Sequence, residues 1–254
     1  MIHFYALSKK GSKSPRNEDN LSLPENNNKM KAENLDYKNK GYFFTLCDGL
    51  GGHLAGEVAS KLCSEWLMKD YYETDIKQDI KTWLREEIEN VNKRIYELSL
   101  KNEKYTRMGT TFVSLLIKDE TAYINNVGDS RLYYFRNNKL EQITDDHSIV
   151  WEYYKNNLIT KDDILRSNEK HIITQAMGLE VSVKINDYDI SLPDKYLFLL
   201  CSDGLTDVTF DKDIEGIIKN SKSLKECVEK LYEISQKNLS RDDVTLILVS
   251  NYLT

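Results

Sequence analysis

The chain has 254 residues, 40% of them hydrophobic and 30% charged, with a formal net charge of −6. That balance suits a globular chain with a substantial core, and the absence of any concentrated Lys/Arg run argues against nucleic acid as a partner. The longest apolar runs, such as Tyr196–Cys201, fall far short of the roughly 20 residues needed to span a bilayer, so no membrane association is expected.

The amino terminus, MIHFYALSKK, lacks the basic-then-apolar order of a signal peptide and reads as a first strand. The polar, Asn/Lys-rich stretch Pro24–Lys40 reads as an exposed loop. YFFTLC (42–47) predicts a buried strand that ends on the sequence DGLGG. Val58, Leu62 and Trp66 then repeat every fourth residue and predict a helix with one apolar face. Ile76, Ile80, Leu84, Ile88, Val91, Ile95 and Leu98 continue at three and four and predict a long second helix. Strand-like runs follow at 110–117, 121–127 and 131–135. Asp145–Gly178 reads as a short helical insertion with N-cap candidates Ser148 and Thr160. A strand at Tyr196–Cys201 precedes a helix opened by the capping box SLKE at Ser223, and a strand at 244–249 closes the series. This order does not alternate βαβ, so the fold class is α+β, with helices segregated onto the faces of antiparallel sheets. Cys47, Cys63, Cys201 and Cys227 sit singly in apolar stretches, which predicts buried reduced thiols in a cytoplasm. Trp66, Trp83 and Trp151 fall on helical faces and are expected to pack.

Acidic residues gather at strand ends. Glu18-Asp19 precedes an apolar segment, Asp48 follows YFFTLC, Asp203 follows YLFLLC, and Asp242-Asp243 precedes VTLILV. A lone aspartate in a loop is ordinarily solvated or an N-cap. Several at the ends of buried strands, with few cations nearby, are better explained by a divalent metal. Mg²⁺ or Mn²⁺ prefers oxygen ligands and needs no His or Cys. Gly49 and Gly204, each beside an aspartate, are expected to let a main-chain carbonyl or a bulky anion approach, clearing room for a metal cluster and its substrate. Other phosphatase and hydrolase chemistries lack their residues. No cysteine is followed six positions on by Arg, and neither a GxxxxGK[ST] loop nor a GxSxG elbow occurs.

The ordered set NED (17–19), DGLGGHLAGEVAS (48–60), MGTT (108–111), NVGDSRLYYF (126–135), ITDDHS (143–148), SDGLTD (202–207) and RDDVTLILV (241–249) resembles the metal-dependent serine/threonine protein phosphatases of type 2C, in their bacterial form. The resemblance spans essentially the whole chain. It implies a single domain over 1–254, built as a four-layer α-β-β-α sandwich with a helical flap at about 145–178. By the same resemblance, Asp48, Asp203 and Asp242 are the catalytic carboxylates, with Asp48 bridging two Mn²⁺ or Mg²⁺ ions. The Gly49 carbonyl binds one ion, Asp203 and Asp242 complete the shell, and Glu18 and Asp19 act through bound waters. Asp129 serves a third ion, helped by Asp145 or Asp146. A water bridging the two ions attacks phosphoserine or phosphothreonine directly, without a covalent phosphoenzyme.

Two departures from the family pattern stand out. The phosphate-binding Arg is replaced by Ser14, leaving Lys13 or Arg16 to take the phosphate, and Asp243 stands where Asn is common. An extra carboxylate there is expected to alter metal preference or to face solvent. His53 is expected to pack near the site, and His147 and His171 to be structural or solvent-facing. The implied partners are phosphorylated proteins that are targets of a Ser/Thr kinase, met by a cytoplasmic monomer. The alternative is a catalytically weak or inactive pseudophosphatase that only binds phosphoproteins, for which Ser14 is the main argument.

Overall fold

Strands buried on both faces dictate the layering. The computed structural model describes residues 1–13, 15–24, 37–51 and 54–254, so Ser14 and His53 lie outside it, as do residues 25–36 of the expected loop. In chain order come β1 (His3–Lys9), β2 (Asp19–Ser22), α1 (Tyr37–Lys40), β3 (Tyr42–Leu50), α2 (Leu54–Glu73) and α3 (Ile80–Lys101). Next are β4 (Gly109–Thr110), β5 (Phe112–Lys118), β6 (Thr121–Val127), β7 (Arg131–Arg136) and β8 (Lys139–Gln142). The insertion carries α4 (Ile149–Lys155) and α5 (Lys161–Arg166). The chain closes with β9 (Asn186–Ser191), β10 (Leu197–Cys201), α6 (Asp203–Thr206), α7 (Asp211–Asn220), α8 (Leu224–Lys237) and β11 (Val244–Ser250).

The strands form two antiparallel sheets, ordered β1-β11-β10-β7-β8 and β2-β3-β5-β6-β9, with β4 against β3. Phe44, Leu46, Val113 and Leu115 of one sheet meet Phe198, Leu200, Ile247 and Val249 of the other. The alternate residues, Phe43, Cys47, Phe112 and Leu116, pack against α2 and α3. On the opposite side Leu197, Leu199, Leu246 and Leu248 pack against α7 and α8. The result is the expected α-β-β-α sandwich, and it explains why its central strands read as unbroken apolar runs.

Helix α2 buries a different face from the one Val58, Leu62 and Trp66 mark, with small residues in its first half and Leu67, Met68, Tyr71 and Tyr72 in its second. Ala55, Ala59, Ser60, Cys63 and Ser64 are buried, whereas Val58, Leu62 and Trp66 are half-buried on its flank. Small residues let the helix axis approach β3 closely, and the bulky ones then seal the groove beside it. Helix α3 starts at Ile80, not Ile76, because the Asp79 carboxylate accepts from the Thr82 amide at 2.9 Å and caps it there. Ser223 caps α8, its hydroxyl accepting from the Glu226 amide at 3.2 Å. The Glu226 carboxylate instead accepts from the Lys222 amide, one residue short of a closed capping box. The end of the expected loop is the short α1. All four cysteines are buried and unbridged. Among the described residues no helix is long and apolar enough to cross a membrane.

The insertion has a small core of its own in Val150, Trp151 and Ile164. Ser148 caps α4, accepting from the Trp151 amide, and the Thr160 amide donates to Asp163 at the start of α5. The root of the insertion is tied to β7 by Arg131 and Asp146, whose side chains are 10% and 3% exposed and meet at 2.7 Å.

Candidate active site

The ends of β3 and β10, the starts of β2 and β11, and the turn after β6 meet at one edge of the sandwich. Asp19 and Asp48 are directly opposed in the β2–β3 register, an arrangement that sets two carboxylates against each other. The backbone of Asp48 is fixed on both sides. Its amide donates to the Thr111 hydroxyl at 2.9 Å, and its carbonyl accepts from the Thr111 amide at 2.8 Å and the Thr110 hydroxyl at 2.9 Å. Thr111 is held in turn by Ser130, hydroxyl to hydroxyl at 2.7 Å. Ser202 joins the two sheets, donating to Asp19 Oδ2 at 2.8 Å while accepting from the Thr245 amide at 3.0 Å.

Glycines 49 and 204 admit backbone, not ligand. A side chain at Gly49 would collide with the Gly56 carbonyl of α2 and the Glu18 carbonyl, and one at Gly204 with the Asp243 carbonyl. They let the carboxylate-bearing loops close on one another: of the two expected neighbours, a main-chain carbonyl or a bulky anion, it is the carbonyl that these positions admit. The Glu18 carbonyl accepts from the Gly49 amide at 3.1 Å and the Ser60 hydroxyl at 2.6 Å. Asp243 does not face solvent. It is 5% exposed and accepts from the Gly11 amide at 2.8 Å and the Glu18 amide at 2.7 Å, pinning the loop that carries Glu18 and Asp19.

The electrostatics record how closely these groups converge. Burial, then the charges of Asp19, Asp203, Asp129 and Asp242, push Asp48 well above the usual carboxylate range. Asp203 is driven well up by burial, then by Asp207, Asp129, Asp242 and Asp19. Asp19 is pushed up to about 7, chiefly by burial and only partly offset by hydrogen bonds from Thr245 and Ser202. Asp129 likewise rises to about 7, through burial and then Asp146 and Asp207. Buried carboxylates that repel one another in this way call for cationic charge.

Asp207 completes the cluster, and the sequence reading had not assigned it. It follows Asp203 by four residues across the short α6, so the i, i+4 spacing within SDGLTD was its signal. His171 from the insertion reaches the same place. Its Nδ1 lies 2.8 Å from Asp207 Oδ2, and the ligand atoms of His171, Asp203 and Asp207 all lie within 4.8 Å of one another. His171 is exposed, as expected, and it is also a neighbour of the site. His147 is buried and accepts from the Gly128 amide at 3.2 Å, as expected of a structural histidine. Of the two acids proposed to help Asp129, Asp146 stands close enough to raise it, yet each already has a cationic partner. Asp145 pairs with Lys155 at 2.9 Å and Asp146 is taken by Arg131. The two candidate phosphate cations also separate. Arg16 pairs with Glu57 of α2 at 3.0 Å, whereas Lys13 Nζ lies 2.5 Å from Asp242 Oδ2.

The model of the family described as protein phosphatase 2C matches residues 5–152, more than half of the chain. The chain belongs to that family. This phosphatase is 34% identical over 240 residues to the serine/threonine phosphatase stp of Listeria welshimeri, with 93% of its own length and 91% of the relative's covered. It is 30% identical to the protein phosphatase PhpP of Streptococcus pneumoniae, over 91% and 96% of the two chains. The crystal structure of the serine/threonine phosphatase Stp1 from Staphylococcus aureus superposes with a TM-score of 0.87 at 31% identity, covering 99% of this phosphatase and 95% of that chain. The phosphatase from Mycobacterium tuberculosis, PstP/Ppp, gives a TM-score of 0.83 at 25% identity. The likeness extends over the insertion as well as the sandwich. The chain is a phosphatase of the 2C type, and its two antiparallel sheets with flanking helices are that fold.

Proposed function

We propose that this phosphatase removes phosphate from phosphoserine and phosphothreonine on proteins with the help of Mn²⁺ or Mg²⁺. One observation carries the reading: Asp19 Oδ1 and Asp203 Oδ1 are buried and find no hydrogen-bond partner among the described residues. Oxygen donors left bare at the centre of mutually repelling carboxylates fit hard divalent cations. Asp48, Asp203 and Asp242 would hold two ions with the Gly49 carbonyl, and Glu18 and Asp19 would act through bound water. Asp129 and Asp203, with Asp207 close by, would serve a third. Bound there, the ions supply a water of lowered pKa as nucleophile and neutralise the phosphoryl charge.

The protein's own part is positioning. The Thr110, Thr111 and Ser130 hydroxyls fix the Asp48 main chain. Ser202 orients Asp19, and Asp243 anchors the loop before it. Lys13, beside Asp242, is better sited than Arg16 to meet an incoming phosphate. Kinship with the bacterial phosphatases supports a single domain over 1–254, acting as a cytoplasmic monomer on proteins phosphorylated by a Ser/Thr kinase. Nothing among the described residues favours the pseudophosphatase reading. A phosphothreonine peptide should be hydrolysed in Mn²⁺, left intact in EDTA, and hydrolysed again when Mn²⁺ is restored. Turnover indifferent to chelation, or none from folded protein in Mn²⁺, would refute the proposal.

A further inference from the structure

Asp242 differs from Asp19 and Asp203 because both of its oxygens are engaged. Oδ1 accepts from the Asp243 amide at 3.1 Å, and Oδ2 meets the Lys13 ammonium at 2.5 Å. Asp203 and Asp19, by contrast, each keep one oxygen bare among the described residues. The contact with Lys13 is built in by the backbone. The amides of Ser12 and Lys13 donate to the Arg241 carbonyl at 2.8 and 2.7 Å, and the Gly11 amide donates to Asp243 Oδ1 at 2.8 Å. The Lys13 main chain is thereby fixed against the loop that carries Asp242. Its side chain is not: it is 63% exposed, against 27% for Asp242. A long flexible stem at the mouth of the site can leave its partner at small cost. Burial works against the Lys13 charge, but Asp242, Asp203 and Asp48 outweigh it and hold the ammonium more firmly protonated than usual.

We propose that the Lys13 ammonium is the resident counter-ion of the acidic site, holding Asp242 in the metal-free enzyme and yielding that carboxylate when a divalent ion binds. The inference rests on the metal-dependent reading above and deepens it. An ammonium and a divalent cation that both need Asp242 repel each other, so each weakens the other's hold on it by the same factor. Lys13 would then set how much metal this chain requires, and metal binding would free its ammonium towards the mouth of the site.

The test uses the full chain and Mn²⁺ alone as probe, with binding read by titration calorimetry and by the free-Mn²⁺ paramagnetic resonance signal. Lys13→Met keeps the stem and removes the charge, while Lys13→Arg keeps the charge. Lys13→Met should bind Mn²⁺ about tenfold more tightly than wild type, the size of an ordinary coupling between two ligands. Lys13→Arg should bind as wild type does. In EDTA, Lys13→Met should melt below wild type, having lost its counter-ion. Unchanged or weaker Mn²⁺ binding by Lys13→Met overturns the proposal, since the ammonium would then support the ligand and not contest it. So does a Lys13→Met melt in EDTA at or above that of wild type. A wild-type chain that takes up no Mn²⁺ refutes the metal reading itself, a result distinguishable from failure of the competition alone.

Discussion

Asp48 carries the sharpest conflict between stability and chemistry. It stands opposite Asp19 in the sheet register, and Asp203, Asp129 and Asp242 also raise its pKa. Replacing it with Asn removes one of the repelling charges and retains the side chain's shape. Asp48→Asn should therefore lower kcat by roughly a hundredfold or more, as loss of a group acting on the transition-state charge does. It should also melt at or above the wild-type temperature in EDTA. Steady-state kinetics in Mn²⁺ and a thermal melt in EDTA read the two effects separately, and wild-type turnover would remove Asp48 from the mechanism. Asp48, Asp203 and Asp242 could be read from the sequence because each abuts an apolar run. Asp207 and His171 were harder to see, because a polar i, i+4 pair and a lone insertion histidine gain meaning only once α6 and the insertion are placed.

Among the elements, the insertion depends on its root. Arg131 of β7 donates to Asp146 through Nε at 3.1 and 3.0 Å and through Nη2 at 2.7 Å, and its Nη1 donates to the Tyr133 hydroxyl at 3.1 Å. The Tyr133 hydroxyl passes the connection to Asp211 at the start of α7, to which Lys161 of α5 also pairs at 2.6 Å. Cutting this chain at Asp146 leaves a guanidinium buried without its counter-charge. Asp146→Ala should cost about 3–5 kcal/mol in urea unfolding. Its exposed neighbour makes the control: Asp145→Ala breaks only the Lys155 pair and should cost about 1 kcal/mol or less. Equal losses from the two would mean that the buried pair does not anchor the insertion. None of this was legible beforehand, since Asp145 and Asp146 look alike in the string ITDDHS and only the packing separates them.

For the whole molecule, pH and metal should act against each other. Asp19 and Asp129 hold their protons up to about pH 7 in the folded state, against an ordinary carboxylate value of 3.8. Between those values the folded chain binds protons that the unfolded chain has already released. Stability is therefore greatest towards the acid side of that window and falls as pH rises through about 7. In EDTA the melting temperature should drop by on the order of 5 °C or more from pH 5 to pH 8. In Mn²⁺ the drop should shrink or reverse, because bound cations favour the ionised carboxylates. A melting temperature equally flat with and without metal would contradict the electrostatic account of the site. The sequence by itself determined the apolar strands (though not the more polar β8 and β9), the α+β class and the position of each carboxylate along the chain, because apolar period and strand-end acidity are local properties. It could not show that the first half of α2 packs by its small residues, that Gly49 and Gly204 serve backbone contact and not an anion, or that Asp243 is an anchor. Nor could it separate Lys13 from Arg16. Those depend on which backbone lies across the gap, and only the closure of two sheets and their helices on one another decides that.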